Sequence, residues 1–245
     1  MQELLARIKD LAKLCNKRNK PCYSHFLTPA EQAFLMQNRE IKQLANLSFD
    51  GGYNRAERAM AVLTPFDYDP EFAYGQSPIT ILSITAKAEK LTHRDILGAC
   101  MGLGIKRETI GDILEQTTPQ VLFCHQSIAD YIQQNLTKIG RANIACAPCS
   151  LPEIPQQEVK AITVTVASLR LDSVLAEGFS LSRDKANQAV KQGIVSVNWL
   201  PVTSPSKEVK EGDFITCRGL GKIKLAAVSG QSRKGRTFIE IQQYS

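Results

Sequence analysis

The sequence predicts an α+β protein of three modules, and three observations carry that reading. Residues 79–147 alternate short apolar runs with helical periods in the order strand, helix, strand, strand, helix, strand. Two proline-bearing stretches, 68–78 and 150–157, interrupt every periodic pattern, which divides the chain into 1–74, 75–150, a linker over 151–159, and 160–245. The first segment opens on a helical period, and the last reads as a strand, two short helices and four short strands.

Taken in order, Leu4, Ile8, Leu11 and Cys15 recur at spacings of three and four, and Asn19 to Pro21 ends that helix. Thr28, Pro29 and Glu31 occupy the N-cap, first and third positions of a second helix, which Phe34, Leu35, Ile41 and Leu44 continue to about residue 46. Phe49-Asp50-Gly51-Gly52-Tyr53 is a turn, and 55–63 reads as a short helix or as a strand entering Pro65. The first module is therefore expected to be mostly helical.

In the second module, strands at 79–85, 110–116, 121–125 and 143–147 surround helices at 93–102 and 128–136. That is the split βαββαβ order of ferredoxin-like domains, which several RNA-binding modules share. In the third, a strand at 160–166 precedes helices at 169–177 and 182–192, the second closed by Gly193. Strands at 194–197, 213–218, 222–228 and 237–242 follow.

Composition narrows the function classes. No apolar run approaches the roughly 18–20 residues of a membrane span, and the charged amphipathic start lacks the apolar block of a secretory signal. Seven scattered cysteines do not form a paired framework, so a cytoplasmic protein with free thiols is expected. The net charge of +6 is unevenly placed: residues 157–245 hold thirteen basic and eight acidic side chains, while the two preceding thirds are nearly balanced. An anionic partner is expected to meet the last module.

Within that module, Arg183, Asn187 and Lys191 lie at i, i+4 and i+8, a polar stripe along one helix, with Ala186, Ala189 and Val190 on the other side. Such a row of donors suits a phosphate backbone. Ser182 adds a hydroxyl at the helix start, where the dipole favours an anion. Gln192 follows the stripe, and Arg218, Lys222 and Lys224 extend the basic surface along the strands. Arg170 is either a further contact or the partner of Asp172. Trp199, the only tryptophan of the chain, follows the Val195-Ser196-Val197 strand and either stacks on a base or fills a core edge. Ser232-Arg233-Lys234-Gly235-Arg236 is a basic turn that reaches phosphate or is simply solvated.

Arg170-Leu171-Asp172, Leu181-Ser182-Arg183, Lys191-Gln192-Gly193, Val195-Ser196-Val197-Asn198 and Glu211-Gly212-Asp213 together resemble the S-four RNA-binding domain, with its αL motif, over about 168–228. The resemblance implies binding to structured RNA through the helix pair and adjoining turn, with Asn198 in that turn. Leu27-Thr28-Pro29-Ala30-Glu31, Phe49-Asp50-Gly51-Gly52-Tyr53 with Ala56-Glu57-Arg58, and Thr92-His93-Arg94-Asp95-Ile96-Leu97-Gly98 through Met101-Gly102-Leu103-Gly104-Ile105-Lys106-Arg107-Glu108 to Gly111-Asp112-Ile113 resemble the YlmH family, over nearly the whole chain. That resemblance implies a non-enzymatic RNA-binding protein connected with the large ribosomal subunit and with rescue of stalled nascent chains. Its expected partner is ribosomal RNA or tRNA, with no DNA and no membrane, and it is expected to act as a monomer. The chain is also similar to the subgroup named photosystem II S-four-domain protein. His93, Arg94, Lys106 and Arg107 are candidates for a second RNA surface in the middle module.

The rival class is an RNA-modifying enzyme with an unrecognised catalytic domain in the first 150 residues. Arg170-Leu171-Asp172 is similar to the nucleophile motif of pseudouridine synthases, yet here it opens the RNA-binding module itself. Gly102-Leu103-Gly104 follows a helix and lacks a third glycine, so it reads as a helix stop rather than a nucleotide loop. Cys146 and Cys149 have redox spacing but precede a proline-rich linker rather than opening a helix. Zinc would need two further ligands, of which Cys124-His125 is the nearest source. No catalytic residue, metal or cofactor is expected.

Overall fold

A computed structural model of the chain describes residues 1–69, 73, 76–86, 91–154, 159–232 and 235–244. The chain forms two compact units, Met1–Pro155 and Gln156–Ser245. Part of each expected proline-rich linker, and Arg233 and Lys234 of the basic turn, lie outside the described residues. Among those described, no helix is long and apolar enough to cross a membrane.

The first unit opens with α1 (Gln2–Arg18), whose Leu4, Ile8, Ala12 and Cys15 form one buried stripe; Asn19 ends it in the left-handed region at φ 48°. β1 (Cys22–Leu27), α2 (Pro29–Gln37) and α3 (Arg39–Lys42) follow. Thr28 and Glu31 make the expected reciprocal capping box. The single helix expected to reach residue 46 is broken at Asn38, which turns extended and accepts the Ile41 N–H on its side chain at 3.2 Å. Asparagine competes poorly inside a helix and well at an N-cap, and the chain then enters β2 (Asn46–Asp50). β1 and β2 flank β3 (Ala59–Thr64) in an antiparallel sheet, so the first module joins three strands to its helices. A bulge interrupts the β1–β3 ladder between Tyr23 and Phe26, and there the Ser24 hydroxyl accepts the Ala61 N–H at 2.8 Å.

The middle elements are β4 (Ile79–Ala86), α4 (His93–Gly102), β5 (Ile110–Leu114), β6 (Gln120–His125), α5 (Gln126–Asn135), β7 (Lys138–Ile139) and β8 (Ala142–Pro148). Their antiparallel sheet runs β5-β6-β4-β8-β7. The first four strands have the ferredoxin-like order; β7 is an added edge too short to show a period. α4 and α5 cover one face, where Ile96, Cys100 and Ile132 meet Leu82, Ile84 and Leu122. On the other face Val121 and Phe123 meet Phe26 of β1 and Met60 of β3. β3 is consequently buried along its whole length, with α1 against its second side.

The two sheets of this unit are joined by a polar seam. Asp112 of β5 accepts from the Tyr53 hydroxyl at 2.8 Å and from the N–H groups of Glu57 and Arg58 at 2.7 and 3.0 Å. Arg58, itself buried, donates from Nε to the Ile110 carbonyl and from Nη2 to the Phe26 carbonyl, both at 3.0 Å. Burial raises the Asp112 carboxyl against the pull of those donors, and it lowers Arg58 to about 10, still a cation near neutrality. Gly111 lets the strands close, since a Cβ there would stand 2.7 Å from the Phe26 ring. The Gly-Gly-Tyr turn, Ala56-Glu57-Arg58 and Gly111-Asp112 are therefore parts of one structural joint.

His125 caps α5, its Nδ1 accepting the Ser127 N–H at 3.1 Å, which requires the neutral ring with the proton on Nε2. Burial, then the neighbouring His25 at 5.6 Å between ring centroids, push its pKa down. His25 in turn faces Arg7 at 3.3 Å and Glu108 at 3.6 Å. The unfolded chain takes up this proton first, so the contribution is complete above about pH 6.5 and is lost as pH falls below it. The thermal midpoint should fall between pH 7.5 and 5.5, and His125→Asn, which keeps a non-titrating cap acceptor, should flatten that dependence. An unchanged dependence in the variant would assign the titration to another group.

The second unit contains β9 (Val159–Val166), α6 (Leu171–Gly178), α7 (Arg183–Lys191), β10 (Val195–Val197), β11 (Leu200–Pro201), β12 (Phe214–Cys217), β13 (Gly221–Gln231) and β14 (Thr237–Tyr244). The antiparallel order is β11-β10-β12-β13-β14-β9. Both helices pack on one face, with Val174, Leu175, Ala186 and Val190 against Ile215, Ile223, Leu225 and Ile241. Gly178 permits that approach: a Cβ there would come within 2.3 Å of Ile223 Cδ1.

Candidate nucleic-acid interface

α7 has the amphipathic form that its sequence dictates. Ala186, Ala189 and Val190 are buried, Arg183 and Lys191 are exposed, and Asn187 is half-buried between them. At 1.5 Å per residue the two cations stand about 12 Å apart along the axis. Among the described residues, neither makes a side-chain hydrogen bond or ion pair with the protein. Ser182 caps the helix by accepting the Lys185 N–H at 3.3 Å, and exposed Gln192 closes its other end.

Arg170 is held by a bidentate pair to Asp172, Nε to Oδ1 at 3.1 Å and Nη2 to Oδ2 at 2.8 Å. Those hydrogen bonds, reinforced by the charges of Arg170 and Arg183, hold the Asp172 carboxyl below its ordinary range. The pair anchors the start of α6, where the Leu171 N–H reaches the Lys207 carbonyl at 2.8 Å. Arg170→Ala is expected to leave the nearly fully buried Asp172 without its partner, raising its pKa and lowering the thermal midpoint. An unchanged midpoint would show that solvent replaces the guanidinium at no cost.

Arg236 joins this side of the unit. It donates to the hydroxyl of Thr165 at 3.0 Å and to the Thr165 carbonyl. With Arg183 it lines a shallow cavity of about 230 Å³, which Ser173, Glu177 and Leu181 also border.

The strand residues are distributed differently from the single basic surface expected. Ile223 and Leu225 point to the helices, so Lys222 and Lys224, one residue out of phase, lie on the opposite face of the sheet. Strand alternation, invisible in a list of charges, separates them from the α7 stripe. Arg218 is exposed at the end of β12, its backbone N–H bonded to Ile194. Asn198 is occupied: its amide donates to Asp213 at 2.8 Å and accepts the Phe214 N–H at 2.9 Å.

The four candidates of the middle module do not form one cluster. His93 and Arg94 open α4, whereas Lys106 and Arg107 follow its far end, about 15 Å away for ten residues. The α4 N-terminus is already met by two carboxylates, Asp95 in a capping box with Thr92 and Glu115 at the His93 N–H. Arg107 turns into the fold, donating to the Ile110 carbonyl at 2.7 Å. His93, Arg94 and Lys106 remain exposed.

Burial raises Cys100 and Cys146 to about 11 and Cys124 to about 12, so these groups are protonated thiols near neutrality. Cys149 is also raised. Among the described residues, no group of three or more His, Cys, Asp or Glu side chains is placed to hold a metal ion.

A helix pair seated on a sheet, with uncovered cations and amides along the second helix, defines an RNA-binding module of the S-four class, here following a ferredoxin-like domain. Comparison with protein families agrees: residues 76–153 match the model described as "Putative RNA-binding domain in YlmH", and residues 169–215 match the S4 domain. The chain is 37% identical over 220 residues to "Ribosome-associated protein quality control protein P2" of Bacillus subtilis (strain 168), covering 89% of this chain and 85% of that protein. It is also similar to the solved structure of "Cell division protein ylmH from Streptococcus pneumoniae", at 26% identity and a TM-score of 0.50, covering 61% of this chain and 90% of the other. The chain belongs to the YlmH family.

Proposed function

We propose that the protein is a non-enzymatic, monomeric cytoplasmic factor that docks on the large ribosomal subunit, against ribosomal RNA or a tRNA held there, during rescue of stalled nascent chains. The observation that carries the reading is the uncovered stripe of Arg183, Asn187 and Lys191 on a helix whose other side is locked into the core. The name of the B. subtilis relative supports the ribosome as the site of action. Recognition is by phosphates and RNA shape rather than by base sequence.

Sedimentation of a lysate through a sucrose gradient tests it. At low salt the wild-type protein should run with the large subunit, and high salt should release it. Free migration at low salt would overturn the ribosomal reading. Mass shifts in the nucleosides of RNA incubated with the protein would replace it with an RNA-modifying activity.

A further inference from the structure

The outer face of the second unit's sheet, opposite α6 and α7, carries a row of aromatic rings that the helix interface does not use. Trp199 in the β10–β11 turn lies 5.4 Å from Phe214 of β12, and Phe214 lies 5.9 Å from Tyr244 of β14, between ring centroids. Lys222 and Lys224 of β13 stand among them, with Nζ 5.3 Å from the Tyr244 centroid and 5.5 Å from the Phe214 centroid. The register produces this cluster, since Lys224 is paired with Phe214 and Lys222 with Tyr244. All five side chains are partly exposed. Glu240, paired with Ala227, bounds the row farther along β14.

Trp199 supplies a second, independent observation. Asn198 and Trp199 form a two-residue hairpin turn with φ 48° and 63°. Such a turn favours asparagine followed by glycine. Asn198 fits, but Trp199 holds the glycine position in a left-handed conformation that is unfavourable for a bulky residue. Folding alone would favour glycine here, whereas the tryptophan ring extends the aromatic row by one member. Backbone strain of this kind points toward function.

We propose that this face is a second RNA site, specific for unpaired nucleotides. Bases stack on the rings of Trp199, Phe214 and Tyr244, and Lys222 and Lys224 supply positive charge to the phosphates that link them. Aromatic rings interleaved with cations on an open sheet hold single strands with little sequence preference. A duplex, whose bases are already stacked, would leave the rings unused. The site is distinct from the α7 stripe and does not depend on it.

Trp199 is the only tryptophan of the chain, so its fluorescence reports this face directly. The experiment titrates the full-length protein with a labelled single-stranded oligouridylate, following tryptophan quenching and oligonucleotide anisotropy together. Quenching is expected in the wild type and equally in the Arg183→Ala, Lys191→Ala double variant, and is not expected with a blunt-ended duplex of two fully complementary strands. Phe214→Ala should weaken the single strand about tenfold. Trp199→Gly should weaken it by a similar factor while unfolding no earlier than the wild type, because glycine suits the turn. Absence of quenching in the wild type, unchanged affinity in Trp199→Gly, or quenching abolished by the α7 double variant would each overturn the proposal.

Discussion

Asp112→Ala should destabilise the first unit by about 3 kcal/mol, seen as a lower urea midpoint by circular dichroism. The carboxylate is the common acceptor for the Tyr53 hydroxyl and the N–H groups of Glu57 and Arg58. Alanine leaves all three donors without that partner. It also removes the negative charge near the Arg58 and Arg107 guanidiniums, both already lowered by burial. Asp112→Asn keeps an acceptor oxygen and the side-chain volume but loses the charge, so a smaller loss is expected. A wild-type midpoint in the alanine variant would mean that apolar contacts of Phe26, Met60 and Phe123 hold the two sheets together without the polar seam.

The Arg183→Ala, Lys191→Ala double variant should lose affinity for structured, base-paired RNA on the order of tenfold at about 0.1 M salt, alike for RNAs of different sequence. Each cation that neutralises a phosphate releases counterions, so the slope of log affinity against log salt should become shallower by about 1.5 for the pair. Secondary structure should be unchanged, because the core side of α7 is carried by Ala186, Ala189 and Val190, and Asp172 keeps both bonds to Arg170. Arg183→Lys alone, which keeps both cations of the stripe, should retain nearly the wild-type slope. Intact affinity and an intact slope in the double variant would mean that RNA meets another face.

Features encoded within a few neighbouring residues were readable without coordinates. The Thr28–Glu31 capping box, the stop at Asn19, the extent of α4 and the two-sided character of α7 all depend on contacts within one or two turns. The strand and helix order of the middle module was equally plain apart from the two-residue edge β7, because each longer element has its own period. β1 was not: it pairs across a bulge, and Ser24 and His25 interrupt its apolar alternation. β2 is hidden between a helical pattern that reads on to about residue 46, though Asn38 breaks it, and a turn signal that begins at Phe49; pairing with β3 makes the segment a strand.

The sequence by itself determined the family, the ferredoxin-like order and the polar stripe of α7, since motif order, periodicity and helix phase are written in local spacing. Only the tertiary structure decided what the charged and polar residues do. Asp112 meets partners 54 to 59 residues away, and Arg58 reaches the Ile110 and Phe26 carbonyls 52 and 32 residues away. Strand alternation places Lys222 and Lys224 opposite the helices, among the rings of Phe214 and Tyr244. The physical reason is that hydrogen-bond partners and sheet faces are set by nonlocal pairing, whereas helix faces are set by the chain's own turn.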